Sequence, residues 1–398
     1  MRSDDASGSS GEFASTTARQ WEIRQPMKVA IVTSGRFHVG DLARELMALD
    51  VDVTLYSLIP PADVAKLGLP PSACRLLWPA GPAWALQRLI SSPYSARLFS
   101  EMIDCVAAAM LKPCDAVIAM AGMSRATLTR ARRFGARTFV DRSSKHIRAQ
   151  KRIVDALPPN INRPSALPGF LVEREVKEYE NADQVVVPAQ HVFDSFLYEG
   201  FPRQRLFLNP FGTNLTQFYP TPSPPIDPPR IVMAGAWSYR KGVDVLVTAF
   251  EALRRRIPNA ELHHVGPVFD APLPRALPGF THEDSVPQPE LLARYARAHV
   301  FVLASREEGL AVVQAQALAA GLRLVCTHDT GGADLAELVG VPAHVVPANQ
   351  PAPLADALEA ALIATRQGRD DLGPWLERLS WKAYARRWRD HLDAVVPL

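Results

Sequence analysis

The sequence of 398 residues predicts an α/β protein with two Rossmann-like domains that face a central cleft. Short apolar segments alternate with helical patterns through both halves of the chain, as in parallel sheets. Residues 219–229 divide this alternation in two, and six of these eleven residues are proline. Because such a segment favours a stiff, extended chain, we expect a linker there and a ligand in the cleft between the halves.

Strand-like and helix-like segments alternate along the first half. Apolar segments typical of buried strands lie at residues 27–32, 51–56, 116–120, 138–140, 184–187 and 206–209. Helical patterns lie at residues 40–49, in two stretches within 83–111, and in an arginine-rich stretch between the third and fourth strands. We therefore assign residues 27–218 to a first Rossmann-like domain.

The same pattern restarts after the proline-rich segment. Strands are predicted at residues 230–234, 260–265, 300–304 and 322–327, with helices at 241–255 and 310–320. The second domain is predicted to span residues 230–375. The last stretch, residues 376–398, contains an amphipathic and aromatic helical segment at 380–392.

Composition excludes several classes of protein. The chain is 47% hydrophobic and 21% charged, so it can form large cores, and a net charge of +3 gives no reason to expect nucleic-acid binding. Its four cysteines form no CxxC pair, which argues against a zinc site or a disulfide scaffold and fits a reducing cytoplasm. No apolar run is long enough to span a membrane. Residues 1–26 are rich in serine and glycine and lack the apolar core of a signal peptide, which predicts a disordered leader or tag.

The most informative segment is residues 302–335, which read VLASREEGLAVVQAQALAAGLRLVCTHDTGGADL. This is the layout of a strand, a turn, a helix, a second strand and a Gly-Gly turn, and ligands of parallel sheets bind at the carboxyl ends of strands. The helix is apolar on nearly every side, yet it carries Gln314 and Gln316, and buried amides need partners. We expect neighbouring backbone to satisfy Gln314 and a ligand to satisfy Gln316. The latter lies about 12 Å beyond Glu308 if the span is helical.

Within this segment, EGLAVVQAQALAAGLRLV resembles the donor-binding segment of glycosyltransferase family 4, whose members have the GT-B fold. The family signature places two glutamates on either side of seven residues. Glu308 matches the first, and Gln316 replaces the second, which in the family usually binds ribose hydroxyls. The resemblance implies that Glu308 contacts donor-sugar hydroxyls, with Gly309 and Leu310 beside it. It also implies a nucleotide-sugar donor bound by the second domain and an acceptor bound by the first.

Two glycine-containing loops extend the resemblance. Residues 235–242, GAWSYRKG, resemble the family's GRLxxxKG loop, in which an arginine and a lysine hold the donor diphosphate. Lys241 matches the lysine, Ala236 stands at the arginine position, and the neighbouring Arg240 is the candidate second cation. Gly235 opens this loop. A second donor loop is formed by three residues that resemble the family's close backbone approach to the donor, namely Thr330, Gly331 and Gly332.

In the first half, residues 34–40 follow the first strand and resemble the family's glycine-rich loop. Its candidates for the acceptor side of the cleft are Gly35, His38 and Gly40. Family members often carry a histidine just after the strand at 138–140, near the reacting sugar. Here that stretch reads FVDRSSKHI, and the role of that histidine is left open among Asp141, Arg142 and His146.

Residues 142–152 carry five cations and one histidine. They form either a solvated basic face or a site for a lipid-diphosphate acceptor or an anionic membrane surface. Glu307 is interpreted as an acid that only stabilises the start of the following helix. Asp50 and Asp52 form a DxD at a strand start, which we discount as a metal site. No other cluster has ligand spacing, so no metal and no cofactor is predicted.

Taken together, the residues and the resemblance predict a metal-independent, retaining glycosyltransferase with a saccharide or lipid-linked acceptor. By analogy of fold, it would act in bacterial surface polysaccharide or glycolipid biosynthesis, in the cytoplasm or peripherally at the inner membrane face. Two alternatives stay open: a nucleotide-sugar epimerase of the same fold, and a non-catalytic nucleotide-sugar-binding protein.

Overall fold

The computed structural model describes residues 26–90, 92–158 and 167–396, and these residues form two domains, each built around one parallel sheet. Nearly all of the predicted leader lies outside the described residues. Within them, no helix combines the length and apolar character needed to cross a bilayer.

The first domain contains seven strands and eight helices within the described residues. The strands are β1 (Lys28–Val32), β2 (Asp52–Ser57), β3 (Cys74–Leu76), β4 (Ala116–Met120), β5 (Arg137–Asp141), β6 (Gln184–Val187) and β7 (Leu206–Leu208). The helices are α1 (His38–Met47), α2 (Pro61–Lys66), α3 (Gly81–Leu89), α4 (Pro93–Met110), α5 (Arg125–Arg133), α6 (Ile147–Asp155), α7 (Gly169–Asn181) and α8 (Gln190–Tyr198). The sheet order is β3-β2-β1-β4-β5-β6-β7, and all of its pairings are parallel.

The second sheet has six strands. They are β8 (Arg230–Ala234), β9 (Glu261–Val265), β10 (Phe280–Glu283), β11 (Val300–Leu303), β12 (Arg323–Thr327) and β13 (Ala343–Val346). The helices of this half are α9 (Val243–Arg256), α10 (Gln288–Ala296), α11 (Val312–Ala319), α12 (Gly332–Leu338), α13 (Pro351–Ala364) and the final α14 (Trp381–Val395). The sheet order is β10-β9-β8-β11-β12-β13, again with parallel pairings.

Burial on both faces explains why the central strands read as continuous apolar runs. All five residues of β4 and all four of β11 are buried, because helices cover both sides of each sheet. The sequence patterns did not identify β3, β10 or β13, which are edge strands with partly exposed residues. Edge strands need less apolar character, and their pattern is correspondingly weak.

The last helix, α14, packs against the first domain rather than the second. Trp388 is fully buried and meets the rings of Phe139 in β5 and Phe207 in β7 edge-on. His391 stacks on Phe207 with 3.8 Å between ring centroids. Arg389 donates to the carbonyl oxygen of Leu49, just after α1, at 3.0 Å. The chain therefore crosses between the domains twice, once through residues 219–229 and once before α14.

Each sheet has a point at which the strand order reverses direction. In the first sheet it lies between β1 and β4, and in the second between β8 and β11. At such a point the loops after the two strands run to opposite faces of the sheet and leave a crevice between them. The carboxyl ends of β8 and β11 are therefore the first place to look for a ligand site.

Candidate functional site

The candidate site lies where β8 and β11 end. The loop after β8 and the segment after β11 run side by side, and the backbone N–H of Arg306 donates to the carbonyl of Arg240 at 2.9 Å. Arg306 also forms an ion pair with Asp244, at the start of α9, at 2.7 Å. These contacts hold residues 235–242 against residues 304–308.

Glycines permit the close approach of these two segments. Gly242 has φ +66°, and a Cβ there would lie 2.0 Å from the carbonyl oxygen of Ala304. A Cβ on Gly266 would lie 2.2 Å from the carbonyl oxygen of Gly235, and that same carbonyl accepts a hydrogen bond from His264 Nε2 at 2.8 Å. Neither glycine can be replaced without moving backbone, so both fix the path of the loop after β8.

The helix predicted at residues 241–255 begins later, at Val243. Residues Tyr239–Lys241 form a tight turn instead, in which the Ser238 side chain accepts from the Lys241 N–H. Gly242 separates the turn from α9. Arg240 and Lys241 therefore lie before the helix and not on its surface. Their side chains extend towards the residues that follow β11.

Two cations converge on one carboxylate at this edge. Lys241 Nζ lies 2.6 Å from Glu308 Oε1, and Arg240 NH1 lies 2.9 Å from the same oxygen. Ser305 Oγ donates to that oxygen as well, at 3.3 Å. Burial would raise the pKa of Glu308, but Lys241 and Arg240 outweigh it, so the pKa is lowered and the carboxylate is ionised.

The same residues keep polar atoms without a protein partner. All the contacts of Glu308 described above use Oε1, and Oε2 makes no hydrogen bond or ion pair with any described residue. The Arg240 side chain is 37% exposed, and only its NH1 takes part in contacts with described residues. One edge of this guanidinium and one carboxylate oxygen are therefore available to a ligand.

Glu307 differs from its interpretation as an acid at a helix start. The helix α11 begins five residues later, at Val312, and Glu307 is only 1% exposed. Its carboxylate accepts hydrogen bonds from Ser144 and from Gln150, at 3.3 Å for the latter, both in the first domain. Glu307 therefore connects the two domains instead of stabilising a helix dipole.

The two glutamines of α11 behave differently. Gln314 is fully buried, and its Nε2 donates to the carbonyl of Thr330 at 2.8 Å. Gln316 is 5% exposed, and its side chain makes no hydrogen bond to a described residue. The Oε1 atoms of both glutamines are buried without a hydrogen-bond partner among the described residues. A buried amide oxygen in that state costs free energy unless a ligand or water supplies a donor.

The loop that contains Thr330, Gly331 and Gly332 supports α11 and opens α12. Thr330 is fully buried and donates through Oγ1 to the Thr327 carbonyl at 2.9 Å. Gly331 has φ +76°, and a Cβ there would lie about 3.1 to 3.2 Å from atoms of Leu310. A Cβ on Gly332 would lie 2.4 Å from Gln314 Oε1. Both glycines are thus required by packing, whatever they do for a ligand.

On the first domain, His38 and Asp141 form a pair. His38 Nε2 lies 2.8 Å from Asp141 Oδ2, and their side chains are 8% and 2% exposed. Asp141 ends β5, and His38 is the first residue of α1, which begins two residues before the predicted start at residue 40. Gly35 lies in the loop after β1, whereas Gly40 is a buried residue in the first turn of α1. The sequence did not predict that these two residues meet.

Arg142 and His146 do not face a ligand site. Arg142 forms an ion pair with Glu175 at 3.0 Å and donates to Gln150 at 2.6 Å. His146 is 4% exposed, and its ring packs against Tyr179 and Phe196. Its Nδ1 accepts from the Arg148 N–H at the start of α6, and burial lowers its pKa to about 4. Each side chain is thus held within the first domain's own packing, and the assignment of either one to the acceptor side stays a prediction.

The cations of residues 142–152 are all paired. Besides Arg142, Lys145 pairs with Asp329 at 2.6 Å, Lys151 pairs with Asp155 at 2.8 Å, and Arg148 and Arg152 both pair with Glu199. Five cations thus share four carboxylates, and Arg148 and Arg152, the two that share Glu199, are the most exposed. Most of the positive charge of this stretch is therefore paired within the protein.

Several contacts join the two domains around the Glu308 cluster. His191 Nε2 donates to the Glu308 carbonyl at 3.0 Å, and the backbone N–H of Gln190 donates to Asp334 at 2.6 Å. Gly309 lies against the first domain, since a Cβ there would be 1.6 Å from the Ser143 carbonyl oxygen. The two domains are therefore in direct contact beside the Glu308 cluster.

Sequence reasoning missed His191 and the domain-bridging role of Glu307. His191 is the second residue of α8, directly after β6, and the carboxyl ends of strands were already the predicted place for a ligand. Applying that rule to every strand would have found His191. Glu307 had no such signal, because its partners lie more than 150 residues away in the sequence.

Comparison with known protein families gives one match, and it lies in the second domain. Residues 228–363 match the family described as Glycosyl transferases group 1. No curated protein sequence matches this chain. Among the described residues, no three His, Cys, Asp or Glu side chains are grouped so as to hold a metal ion.

Solved structures of similar fold cover almost the whole chain. Sucrose-phosphate synthase from Thermosynechococcus elongatus superposes with a TM-score of 0.64 at 18% identity, over 93% of this chain and 99% of that one. HepE from Anabaena, in complex with UDP and glucose, gives 0.60 at 13% identity, over 93% and 100%. The pneumococcal O-GlcNAc transferase GtfA, in complex with UDP and GlcNAc, gives 0.61 at 11% identity, over 93% and 99%. The predicted GT-B fold is confirmed.

Proposed function

We propose that this protein is a retaining glycosyltransferase that moves a sugar from a nucleotide-sugar to a saccharide or lipid-linked acceptor. The observation that carries the proposal is the cluster of Lys241, Arg240 and Glu308 at the strand-order reversal of the second sheet. The match of residues 228–363 to a glycosyltransferase family and the UDP-bound structures of similar fold support it.

The cluster suits the departure of a nucleoside diphosphate. When the glycosidic bond breaks, negative charge builds up on the phosphate that leaves, and preorganised cations stabilise it. Lys241 and the unused edge of Arg240 would supply this charge, although Ala236 replaces the family's arginine. Glu308 would hold both cations through Oε1 and accept a donor-sugar hydroxyl through Oε2.

The remaining donor contacts follow from the same edge. Gln316 would donate to and accept from the ribose hydroxyls, which would satisfy its otherwise unpaired Oε1. Gly235, Gly309 and Leu310 would line the sugar and diphosphate, and the loop from Thr330 to Gly332 would close the site through its backbone.

On the acceptor side, we assign the role of the family's histidine to His38, with Asp141 as its positioning residue. The 2.8 Å contact uses Nε2 of His38 and leaves Nδ1 without a partner among the described residues. An imidazole fixed in this way would contact hydroxyl groups near the reacting sugar. Gly35 and Gly40 would let the adjoining loop approach the acceptor.

The family resemblance suggests retention of configuration and no metal requirement, and the proposal adopts both. It places the reaction in bacterial surface polysaccharide or glycolipid biosynthesis at the cytoplasmic face of a membrane.

The direct test is Lys241→Ala in a transfer assay with radiolabelled nucleotide-sugars, with Lys66→Ala as the control. Lys66 is an exposed lysine that pairs with Asp63, far from the cluster in the fold. We expect Lys241→Ala to lower kcat/KM by roughly 1,000-fold, because it removes a cation from the charge that develops. Lys66→Ala should transfer at the wild-type rate.

Three results would contradict the proposal. A wild-type rate of glycosyl transfer by Lys241→Ala would contradict the assignment of the phosphate site. Conversion of the nucleotide-sugar to its epimer without acceptor would favour the epimerase. Tight donor binding without turnover across a wide acceptor panel would favour the non-catalytic binding protein.

A further inference from the structure

The hairpin formed by α3 and α4 exposes large apolar side chains. Around its tip, Leu89 is 84% exposed, Ile90 is 55% exposed and Tyr94 is 85% exposed. On its flanks, Trp84 is 42% exposed and Leu98 is 44% exposed. Contiguous apolar surface of this kind on a soluble domain usually marks an interaction site.

The exposed residues of α4 form one stripe along the helix. Tyr94, Leu98, Cys105 and Ala109 are all exposed, and helical geometry places them on one side of α4. The opposite side is buried against the domain through Ser95, Ile103, Asp104 and Ala107. The stripe is thus an outward face that the other described residues leave uncovered.

The cations around this stripe lack carboxylate partners. Arg88 and Arg97 flank the apolar tip, and the arginines of α5 lie beside the other end of the stripe. Arg125, Arg130 and Arg133 line a groove there together with Ala108 and Ala109. None of these five arginines forms an ion pair with a described residue, and the nearby Glu101 is already paired with Arg174 at 2.8 Å. This is the reverse of residues 142–152, where every cation is paired.

We propose that this surface, the apolar stripe of α3 and α4 with its flanking arginines, docks on an anionic lipid bilayer. Apolar side chains beside unpaired arginines are the features of helices that lie in the membrane interface. Tryptophan and tyrosine favour that same level of the bilayer. Side chains as exposed as Leu89 and Tyr94 protrude from the surface. A fluid bilayer can accommodate them without a complementary pocket, which a folded protein partner would need.

The surface is connected to the acceptor side of the cleft. A shallow pocket is lined by Ser34, in the loop after β1, and by Trp84, Gln87, Arg88 and Phe99 of the hairpin. Docking would place this loop near the lipid headgroups. Resting on the proposed function, this arrangement favours an acceptor that is itself anchored in the membrane.

The test is flotation of the full chain with vesicles of neutral phosphatidylcholine, or of phosphatidylcholine mixed with phosphatidylglycerol. The variants are Leu89→Glu and Tyr94→Glu, and the matched control is Tyr198→Glu, because Tyr198 is 82% exposed but lies outside the surface. A further variant, Arg88→Gln with Arg97→Gln, tests the charge. Circular dichroism confirms that each variant is folded.

We expect the wild type to float with anionic vesicles only, and less so as salt is raised. Each hairpin substitution should lower partitioning by roughly tenfold or more, since a charge replaces an inserted apolar side chain. Tyr198→Glu should float like the wild type.

The proposal is overturned if the wild type does not bind anionic vesicles, or if Tyr198→Glu is as impaired as Tyr94→Glu. It is also overturned if the hairpin substitutions instead dissociate a dimer, which would show that a second copy covers the surface. Flotation needs neither donor nor acceptor, so its failure is independent of a failure of glycosyl transfer.

Discussion

The two faces of the cleft differ in what their polar side chains are bonded to. On the second domain, Glu308, Arg240 and Gln316 each keep an atom without a partner among the described residues. On the first domain, Arg142 is held by Glu175, and His146 is enclosed by aromatic rings. The second domain is therefore prepared for a polar ligand, whereas most polar groups of the first domain serve its own fold.

The strand-order reversals show the same contrast. In the first sheet, the backbone N–H groups of Gly122 and Ser124, after β4, both donate to the buried carboxylate of Glu178, at 2.6 and 2.8 Å. Burial raises the pKa of Glu178 to about 7, against the opposing effects of Ser124 and Arg174. The protein's own carboxylate thus occupies the position that a ligand anion would take. Two sheets with the same strand-order reversal therefore need not have the same function. A ligand can bind at the reversal only where no side chain of the protein already fills it.

The largest expected effect is on folding stability at low pH. It depends on a feature that the two domains share, because each contains a buried neutral histidine. Burial lowers the pKa of His146 in the first domain and of His264 in the second to about 4 in each case, from 6.5. Below about pH 6.5 the unfolded chain binds a proton at each histidine and the folded chain does not. Stability is therefore lost as pH falls from about 6.5 to about 4, by about 3 kcal/mol for each histidine.

Urea unfolding at about pH 7.5 and about pH 4.5 measures this loss. His264→Gln should reduce the difference between the two conditions, and His328→Gln, at an exposed position, should leave it unchanged. The raised pKa of Glu178 acts in the opposite direction over the same pH range, so the comparison between variants is decisive. If His264→Gln and the wild type lose the same free energy of unfolding between the two pH values, the assignment of a buried neutral His264 is wrong.

The next largest effect concerns the pair of His38 and Asp141 on the first domain. Asp141→Asn keeps the shape of the side chain but weakens its hold on His38. We expect kcat to fall by roughly 10- to 100-fold with donor affinity unchanged, because the pair is assigned to the acceptor side. Asp183→Asn, at a partly exposed aspartate next to β6, is the control. A lower melting temperature with unaltered kcat would show that the pair has only a structural role.

The smallest effect compares the two glutamines of α11. Gln316→Leu removes an amide that makes no hydrogen bond to a described residue, and we expect donor Kd to rise by roughly tenfold while the melting temperature stays the same or rises. Gln314→Leu removes the donor to the Thr330 carbonyl and should instead lower the melting temperature. Titration calorimetry and thermal unfolding of both variants provide the two readouts. Equal effects of the two substitutions would remove the reason to assign Gln316 to the ribose.

Sequence patterns located the loop segments of the second domain better than the side-chain pairs of the first, for physical reasons. The positions of Lys241, Glu308 and Gly242 depend on local turns after apolar strands, and such turns have recognisable residue patterns. The prediction that the Gln314 side chain bonds to backbone is also confirmed, since its Nε2 donates to the Thr330 carbonyl.

The acceptor side depends on contacts between distant segments. His38 meets Asp141 across 103 residues of sequence, and Lys145 meets Asp329 across 184. Spacing along one chain carries no information on such pairs. For the same reason the basic stretch at residues 142–152 could not be divided into ion pairs, and the exposed hairpin could not be told from a buried one.

The central claim is that the second domain binds a nucleotide-sugar through the Lys241 cluster. Titration calorimetry of the wild type with UDP-, GDP-, dTDP- and ADP-linked sugars, and with the free nucleotides, tests it most directly, with Lys241→Ala measured beside it. The account predicts selective binding of one nucleotide-sugar class and a loss of at least roughly tenfold in affinity for Lys241→Ala. Equal affinity of Lys241→Ala and the wild type, or no binding of any nucleotide-sugar, would contradict it.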